Sequence, residues 1–189
     1  MKYLLTGAQG TGKTSIMDAL SCNLQKLQNI TRTCITNNNL SINENSNDNT
    51  QKAIFNAYYK ALTENDNYVA ERSLFDVYAY TRYTRYMHIQ DKQEFSLDIY
   101  DKMSKIIDEQ IELLENFIKE NPDAIYFYIP IEFKIQPDGV RSTNEYFQKY
   151  IDHIILDCLY GFNVKFYKIT GTVEERVKKI QEIIAQNNK

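Results

Sequence analysis

Residues 7–14 read Gly7-Ala8-Gln9-Gly10-Thr11-Gly12-Lys13-Thr14, a full match to the phosphate-loop pattern GxxxxGK[ST]. No other feature narrows the folds open to this chain as far. The stretch before it, Lys2–Thr6, is short and apolar. The stretch after it repeats Ile16, Leu20, Leu24 and Leu27 at helical spacing. A strand is therefore expected to enter the motif, and a helix over 12–27 to leave it, which is the context the motif needs. A chance glycine-rich turn has no need of either neighbour. Glycines let the backbone curl so that its N–H groups point inward at a phosphate chain, and the helix start adds its positive end. The motif implies a nucleoside triphosphate. Lys13 is expected on the β- and γ-phosphates and the Thr14 hydroxyl on Mg²⁺, with Gly7, Gln9, Gly10, Thr11, Gly12 and Ser15 around the phosphates.

The rest of the chain supplies a matching frame. Further strands are expected at Thr31–Thr36, Tyr68–Glu71, Ala124–Ile129 and Val164–Thr170. Helical patterns lie between them over 50–63, 75–88, 95–120, 144–160 and 173–185. Alternating strands and helices imply βαβ units, and apolar runs such as Tyr3-Leu4-Leu5 and Ile125-Tyr126-Phe127-Tyr128 imply a sheet covered on both faces. The expected fold class is therefore α/β, one three-layer domain over 1–189 with a five-stranded parallel sheet. Asn37–Asn49 reads NNNLSINENSNDN and is expected as a flexible asparagine-rich loop.

Composition removes several function classes. A net charge of −3 argues against a non-specific grip on long nucleic acid, which needs a broad basic face. No run of about 18 apolar residues predicts a membrane span. The start, MKYLLTGAQG, turns glycine-rich too soon for a secretory signal. Cys22, Cys34 and Cys158 are odd in number and scattered, which suits a reducing compartment and no disulfide framework. A cytoplasmic location is expected. His88 and His153 lack the neighbours of a metal site or a triad.

A second signal stands at the end of the strand over 68–71. Glu71-Arg72-Ser73 puts a carboxylate where it can hold Mg²⁺ through water, beside an arginine suited to phosphoryl oxygens; the plain alternative is a strand end with solvated charges. These residues resemble the strand-end Glu-Arg-Ser of deoxynucleoside kinases. With Ala79-Tyr80 they also resemble the thymidylate-kinase signature Asp-Arg-Tyr-x-x-Ser-x-x-Ala-Tyr, from which Glu71, Ser73 and Asp76 depart. The whole layout is most similar to the ribosylnicotinamide-kinase-like, AAA ATPase-like phosphate-loop family. That family has the loop at the N-terminus, an (Asp/Glu)-Arg-Ser-x-x-Asp-x-x-Ala-Tyr stretch in the middle and a later Asp-Gly-x-Arg loop, here Asp138-Gly139-Val140-Arg141. Phage proteins of this kind are similar too, so the cytoplasm would be the host's if the chain is phage-encoded.

The resemblance implies a P-loop kinase fold, ATP and Mg²⁺ as cofactors, and a small-molecule nucleoside or nucleotide acceptor as partner; a homodimer is compatible with it. It makes Glu71 a metal-positioning residue with Thr14, Arg72 a phosphoryl contact, and Arg141 a lid arginine in a loop over 130–143. Gly171, in the turn after the last strand, would lie beside the adenine. Thr172 and Glu175 also form a capping box there. Arg82 and Arg85, three apart on the tyrosine-rich helix, are candidate contacts to an acceptor phosphate, and Tyr80 a candidate stacking residue; solvated charge and core packing are the competing uses. Phosphorylating a hydroxyl needs a carboxylate base near the acceptor, whereas a phosphate acceptor is already an anion. Deoxynucleoside kinases place that base just after the second strand. Here Ile35-Thr36-Asn37-Asn38-Asn39 offers none before Glu44, which favours a (deoxy)nucleoside monophosphate as acceptor. A nucleoside kinase acting on a deoxynucleoside or nicotinamide riboside, with Glu44, Asp48 or Asp76 as base, is the alternative, and a polynucleotide kinase a further one. A GTPase switch would want Asn-Lys-x-Asp, and a motor an apolar strand ending in Asp-Glu; neither is present.

Overall fold

The computed structural model describes residues 1–40, 47–90, 97–134 and 144–187. Five strands, β1 (Lys2–Thr6), β2 (Gln25–Leu27), β3 (Tyr68–Ala70), β4 (Ile125–Tyr128) and β5 (Phe166–Lys168), form one sheet in the order β2-β3-β1-β4-β5. Every pair is parallel; Leu4 lies opposite Ala70 on one side of β1 and Tyr126 on the other. Among the described residues seven helices accompany them: α1 (Lys13–Ala19), α2 (Ile30–Asn38), α3 (Asp48–Thr63), α4 (Leu74–Gln90), α5 (Leu97–Glu120), α6 (Glu145–Gly161) and α7 (Val173–Asn187). The α/β fold with helices on both faces is the one expected.

The two-residue period of the central strands makes the two cores. Tyr3, Leu5, Ile125 and Phe127 face α1 and α7, meeting Ile16, Met17, Ile180 and Ile184. Leu4, Tyr126 and Tyr128 face the other way, into a larger core with α3, α4, α5 and α6. Each such buried side chain contributes about 1.5–3 kcal/mol. Helix α4 runs through this larger core and buries residues on nearly every side, including Phe75, Asp76, Val77, Tyr78 and Tyr83. Its start is thereby fixed against the ends of β1 and β3.

Two expectations fail together near the N-terminus. The helix expected over 12–27 stops at Ala19, where Leu20 turns extended. Gln25–Leu27 instead pairs with Tyr68–Ala70 as the edge strand. The strand expected at Thr31–Thr36 lies inside α2, bounded by Asn29 and Asn39, both in the left-handed region. Its β-branched residues favour a strand, but Cys34 is buried against the core while Thr31, Ile35 and Thr36 line a cavity, which is a helical division of faces. The asparagine-rich loop expected over 37–49 is also shorter at both ends. Helix α2 continues through Asn38 and α3 begins at Asp48, with the Asn47 side chain accepting from the Thr50 N–H as its cap; 41–46 lie outside the described residues. In the lid segment over 130–143, 135–143 lie outside them too.

Candidate active site

All five strands point their carboxyl ends at one edge of the sheet, and the chain reverses between β1 and its two neighbours there, the crevice where open α/β sheets bind ligands. Strand β1 runs directly into the phosphate loop. A Cβ on Gly7 would stand 2.3 Å from the Ile129 carbonyl oxygen, so the loop can leave β1 this close to β4 only with glycine. Gly12, at φ 91°, makes the second sharp turn, into α1. With two turns, α1 offers its free first-turn amides rather than a long dipole.

The loop is held from below and behind by side chains. Asp76, fully buried at the start of α4, accepts from Thr6 Oγ1 at 2.7 Å and from the Gly7 N–H at 3.2 Å. It also accepts from the Ser73 N–H at 3.0 Å while Ser73 Oγ accepts from the Phe75 N–H, a reciprocal cap on α4. Gln148 of α6 donates to the Gln9 carbonyl at 2.7 Å. Arg176 of α7, 2% exposed, donates to the Thr11 carbonyl at 2.7 Å and pairs with Glu132, which also accepts from the Gly171 N–H at 3.1 Å. Arg176 thereby ties the loop, the exit of β4 and the turn after β5 into one piece.

Inside this frame the charges are arranged around a cavity of about 500 Å³. Lys13 is buried and donates to the carbonyls of Gly7, at 2.5 Å, and Ala8, at 2.7 Å, with Asp76 Oδ1 at 3.8 Å. The Thr14 hydroxyl donates to Glu71 Oε1 at 2.5 Å, and the Asn29 N–H to Glu71 Oε2 at 3.3 Å. Burial raises the Glu71 pKa, but the Thr14 and Asn29 hydrogen bonds with the charges of Arg72 and Lys13 outweigh it, so the carboxyl ionises below its usual range. Burial also opposes the charge on Arg72, and Tyr80, Tyr58 and Asp76 more than restore it. One hydroxyl and one ionised carboxylate suit a magnesium ion that keeps several waters and takes its other oxygens from phosphates, and Thr14 and Glu71 are the residues that would hold it.

The cavity is lined by Gln9, Gly10, Thr11, Gly12, Lys13, Thr14, Glu71, Arg72 and Tyr80, so nine of the expected residues meet in one place. Its far wall comes from α2 and α3, with Arg32, Thr36, Thr50, Gln51, Ile54 and Tyr58 among its residues. Gly7 lies beneath the loop, Ser15 points to solvent, and Gly171 contacts Glu132. Arg82 and Arg85 do not join the site. Arg82 donates to the Tyr78 hydroxyl and Arg85 to Tyr100 of α5, because α4 turns their positions away from the face that carries Val77 and Tyr80. Arg141 and Asp138 lie outside the described residues. Asp76 is beneath the phosphate loop rather than on the cavity wall, so it does not face an acceptor. The residues after the true second strand, Gln28 and Asn29, carry no acid either. Sequence reasoning missed Arg176, Gln148 and Arg32. For Asp76 the Ser-x-x-Asp spacing was a legible capping signal.

A family model described as an AAA domain matches residues 2–176. The chain belongs to this AAA-domain family. No curated protein matches the sequence. Among solved structures, the AAA-domain chain is similar to deoxyadenosine kinase from M. mycoides with the products dCMP and a flexible dCDP bound. That match has a TM-score of 0.62 at 13% identity and covers 98% of this chain and 99% of that chain. A second structure of that kinase, with bound dCTP, matches with a TM-score of 0.52 at 13% identity over 98% of this chain and 100% of the other. At this identity the likeness is one of fold, and it is the fold of a P-loop kinase.

Proposed function

We propose that this AAA-domain chain is a Mg-ATP-dependent kinase that transfers the γ-phosphoryl group to a (deoxy)nucleoside monophosphate. The observation that carries the reading is the convergence of Lys13, Thr14, Glu71 and Arg72 on one cavity at the mouth of the phosphate loop. Loop amides and Lys13 bind and orient the triphosphate, and Thr14 and Glu71 would hold the magnesium ion, which draws charge from the phosphoryl oxygens when bound. Arg72, fixed by Tyr80, stabilises the charge that spreads over the oxygens in transfer, so catalysis is positioning plus electrostatics. The γ-phosphorus bond to its bridging oxygen breaks as a bond to the acceptor oxygen forms, and ADP leaves. Arg141 is proposed as a lid arginine and Gly171 as a neighbour of the adenine.

The monophosphate acceptor is favoured by charge. Among the described residues lining the cavity, Glu71 is the one carboxylate, against Lys13, Arg32 and Arg72. A phosphate acceptor needs no base to remove a proton. Arg32 on α2 takes the place that Arg82 and Arg85 were expected to fill. A nucleoside acceptor is the second reading. The likeness in fold to a deoxyadenosine kinase favours it, and the ionised Glu71 is the group available to take a hydroxyl proton. A motor reading is disfavoured, since β4 runs into Ile129-Pro130 rather than an Asp-Glu pair.

A panel of nucleosides, nucleoside monophosphates, nicotinamide riboside and a DNA oligomer, with ADP release and product mass read together, tests this. ADP release that depends on a monophosphate supports the reading. Release that is equal without any acceptor overturns it. Lys13→Ala should cut turnover by about 10²–10³-fold; a fully active variant would remove the phosphate loop from the chemistry.

A further inference from the structure

The cavity wall carries one buried donor that the fold leaves unused. Gln9 is 8% exposed, and its Nε2 has no hydrogen-bond partner. Several other buried side-chain atoms are orphaned, among them Gln28 Oε1, Asp152 Oδ1 and Arg176 Nε. Among the described residues, Gln9 alone combines an orphaned atom with a place in the cavity lining. A buried donor without an acceptor is costly, so one on a cavity wall marks where a ligand atom belongs.

The hydrogen bonds of Gln9 show which end of the amide is spare. The Arg72 guanidinium lies over the Tyr80 ring, 5.6 Å from its centroid, and the ring ends in a hydroxyl. That hydroxyl has a single hydrogen, which it gives to Gln9 Oε1 at 3.1 Å. The amide oxygen faces Tyr80, and the NH₂ group faces away from it with no acceptor. The side chain is also braced. Gln148 holds the Gln9 carbonyl at 2.7 Å, and the Tyr80 ring stands edge-on to Phe147 with centroids 5.5 Å apart. Arg72, Tyr80 and Gln9 form a chain that brings a cation from the end of β3 and a neutral donor from the phosphate loop to the same region. Both offer hydrogens and no acceptor. A phosphoryl group, rich in acceptor oxygens and without a donor when ionised, suits both.

We propose that Gln9 Nε2 donates to an oxygen of the phosphoryl group in transfer, with Tyr80 as the positioning residue that orients it. This rests on the kinase reading. The probe is a planar phosphoryl mimic: ADP and Mg²⁺ with aluminium fluoride, compared with ADP and Mg²⁺ alone, both read by calorimetry. For wild type, fluoride should tighten nucleotide binding. Gln9→Leu should weaken the fluoride complex by about 10- to 100-fold while ADP alone binds as in wild type. Gln9→Glu keeps the acceptor for Tyr80 and loses the donor, so it should fold normally and lose the fluoride effect at least as fully. Tyr80→Phe should give an intermediate loss. A fluoride effect intact in both Gln9 variants, or an equal loss for ADP alone, overturns the proposal and leaves the kinase reading standing. If wild type gains nothing from fluoride and Lys13→Ala binds ADP normally, the kinase reading falls and the role of Gln9 with it.

Discussion

Lys13 has its charge occupied by the carbonyls of Gly7 and Ala8 and by Asp76. Under the proposed function, a bound triphosphate would replace those carbonyls, and Lys13 would exchange its own loop for the ligand. Glu71 shows the opposite economy, being ionised below its usual range by partners it already has. The sign follows from linkage. A carboxyl whose folded pKa lies below its ordinary value of 4.5 adds stability above that value and loses it as pH falls through the folded pKa. Glu71→Gln should therefore be less stable than wild type at pH about 7, with the gap narrowing by pH about 3. Thermal melts at both pH values check this, and a gap that widens on acidification would contradict it. The same variant should need more Mg²⁺ to reach half-maximal turnover. Arg72→Lys tests shape rather than charge. A lysine keeps the cation but loses the planar fork that, in the proposed function, would hold a phosphoryl oxygen while lying over Tyr80. Turnover should fall by about 10-fold or more with ATP affinity little changed, while equal kinetics would reduce Arg72 to a structural cation.

Arg176 and α7 belong to the element scale, because what the arginine holds is the relation between a helix and a loop. Its partners are the Thr11 carbonyl and Glu132. Arg176→Met keeps the stem's packing and removes both contacts. Glu132 is partly exposed and can regain water, so the loss should fall short of the about 3–5 kcal/mol typical of breaking a fully buried pair. For a domain of this size each kcal/mol shifts the melting temperature by about 2–4 °C. The KM for ATP should rise more than kcat falls, since the loop loses its anchor without losing Lys13; a change in kcat alone would argue against that. No local pattern could reveal this contact, because Thr11 and Arg176 are 165 residues apart. What was legible was local. The phosphate loop, the boundaries of α4, α5 and α6 within two residues, and the capping box at Thr172 and Glu175, observed at 2.8 and 3.3 Å, all follow from short-range rules. Gln25–Leu27 was illegible because an edge strand of three residues, with Gln25 exposed, carries neither length nor alternation. Thr31–Thr36 misled because its β-branched residues serve a cavity wall rather than a sheet. Arg82 and Arg85 misled because spacing says which residues share a face and not where that face points.

At the scale of the whole molecule, the site is where the two cores meet the open edge of the sheet. Helix α1 leans on the α7 core, while Ala8 of the phosphate loop and the α2–α3 wall lean on the α4 core. A ligand that bridges both halves binds only the folded chain, so it must raise the stability of both halves together. At a nucleotide concentration about 100 times its Kd the gain is about 2.7 kcal/mol, which for a domain of this size is a shift of about 5–10 °C. A non-hydrolysable ATP analogue with Mg²⁺ should produce it in wild type and not in Lys13→Ala. A cognate monophosphate should add its own increment, because its expected contacts, Arg32 and the α2–α3 wall, are largely separate from those of the triphosphate. An increment only when both ligands are present would mean that the donor must first order the acceptor side. If the monophosphate instead displaces the analogue, the 500 Å³ cavity is a single subsite and the two-substrate reading is wrong.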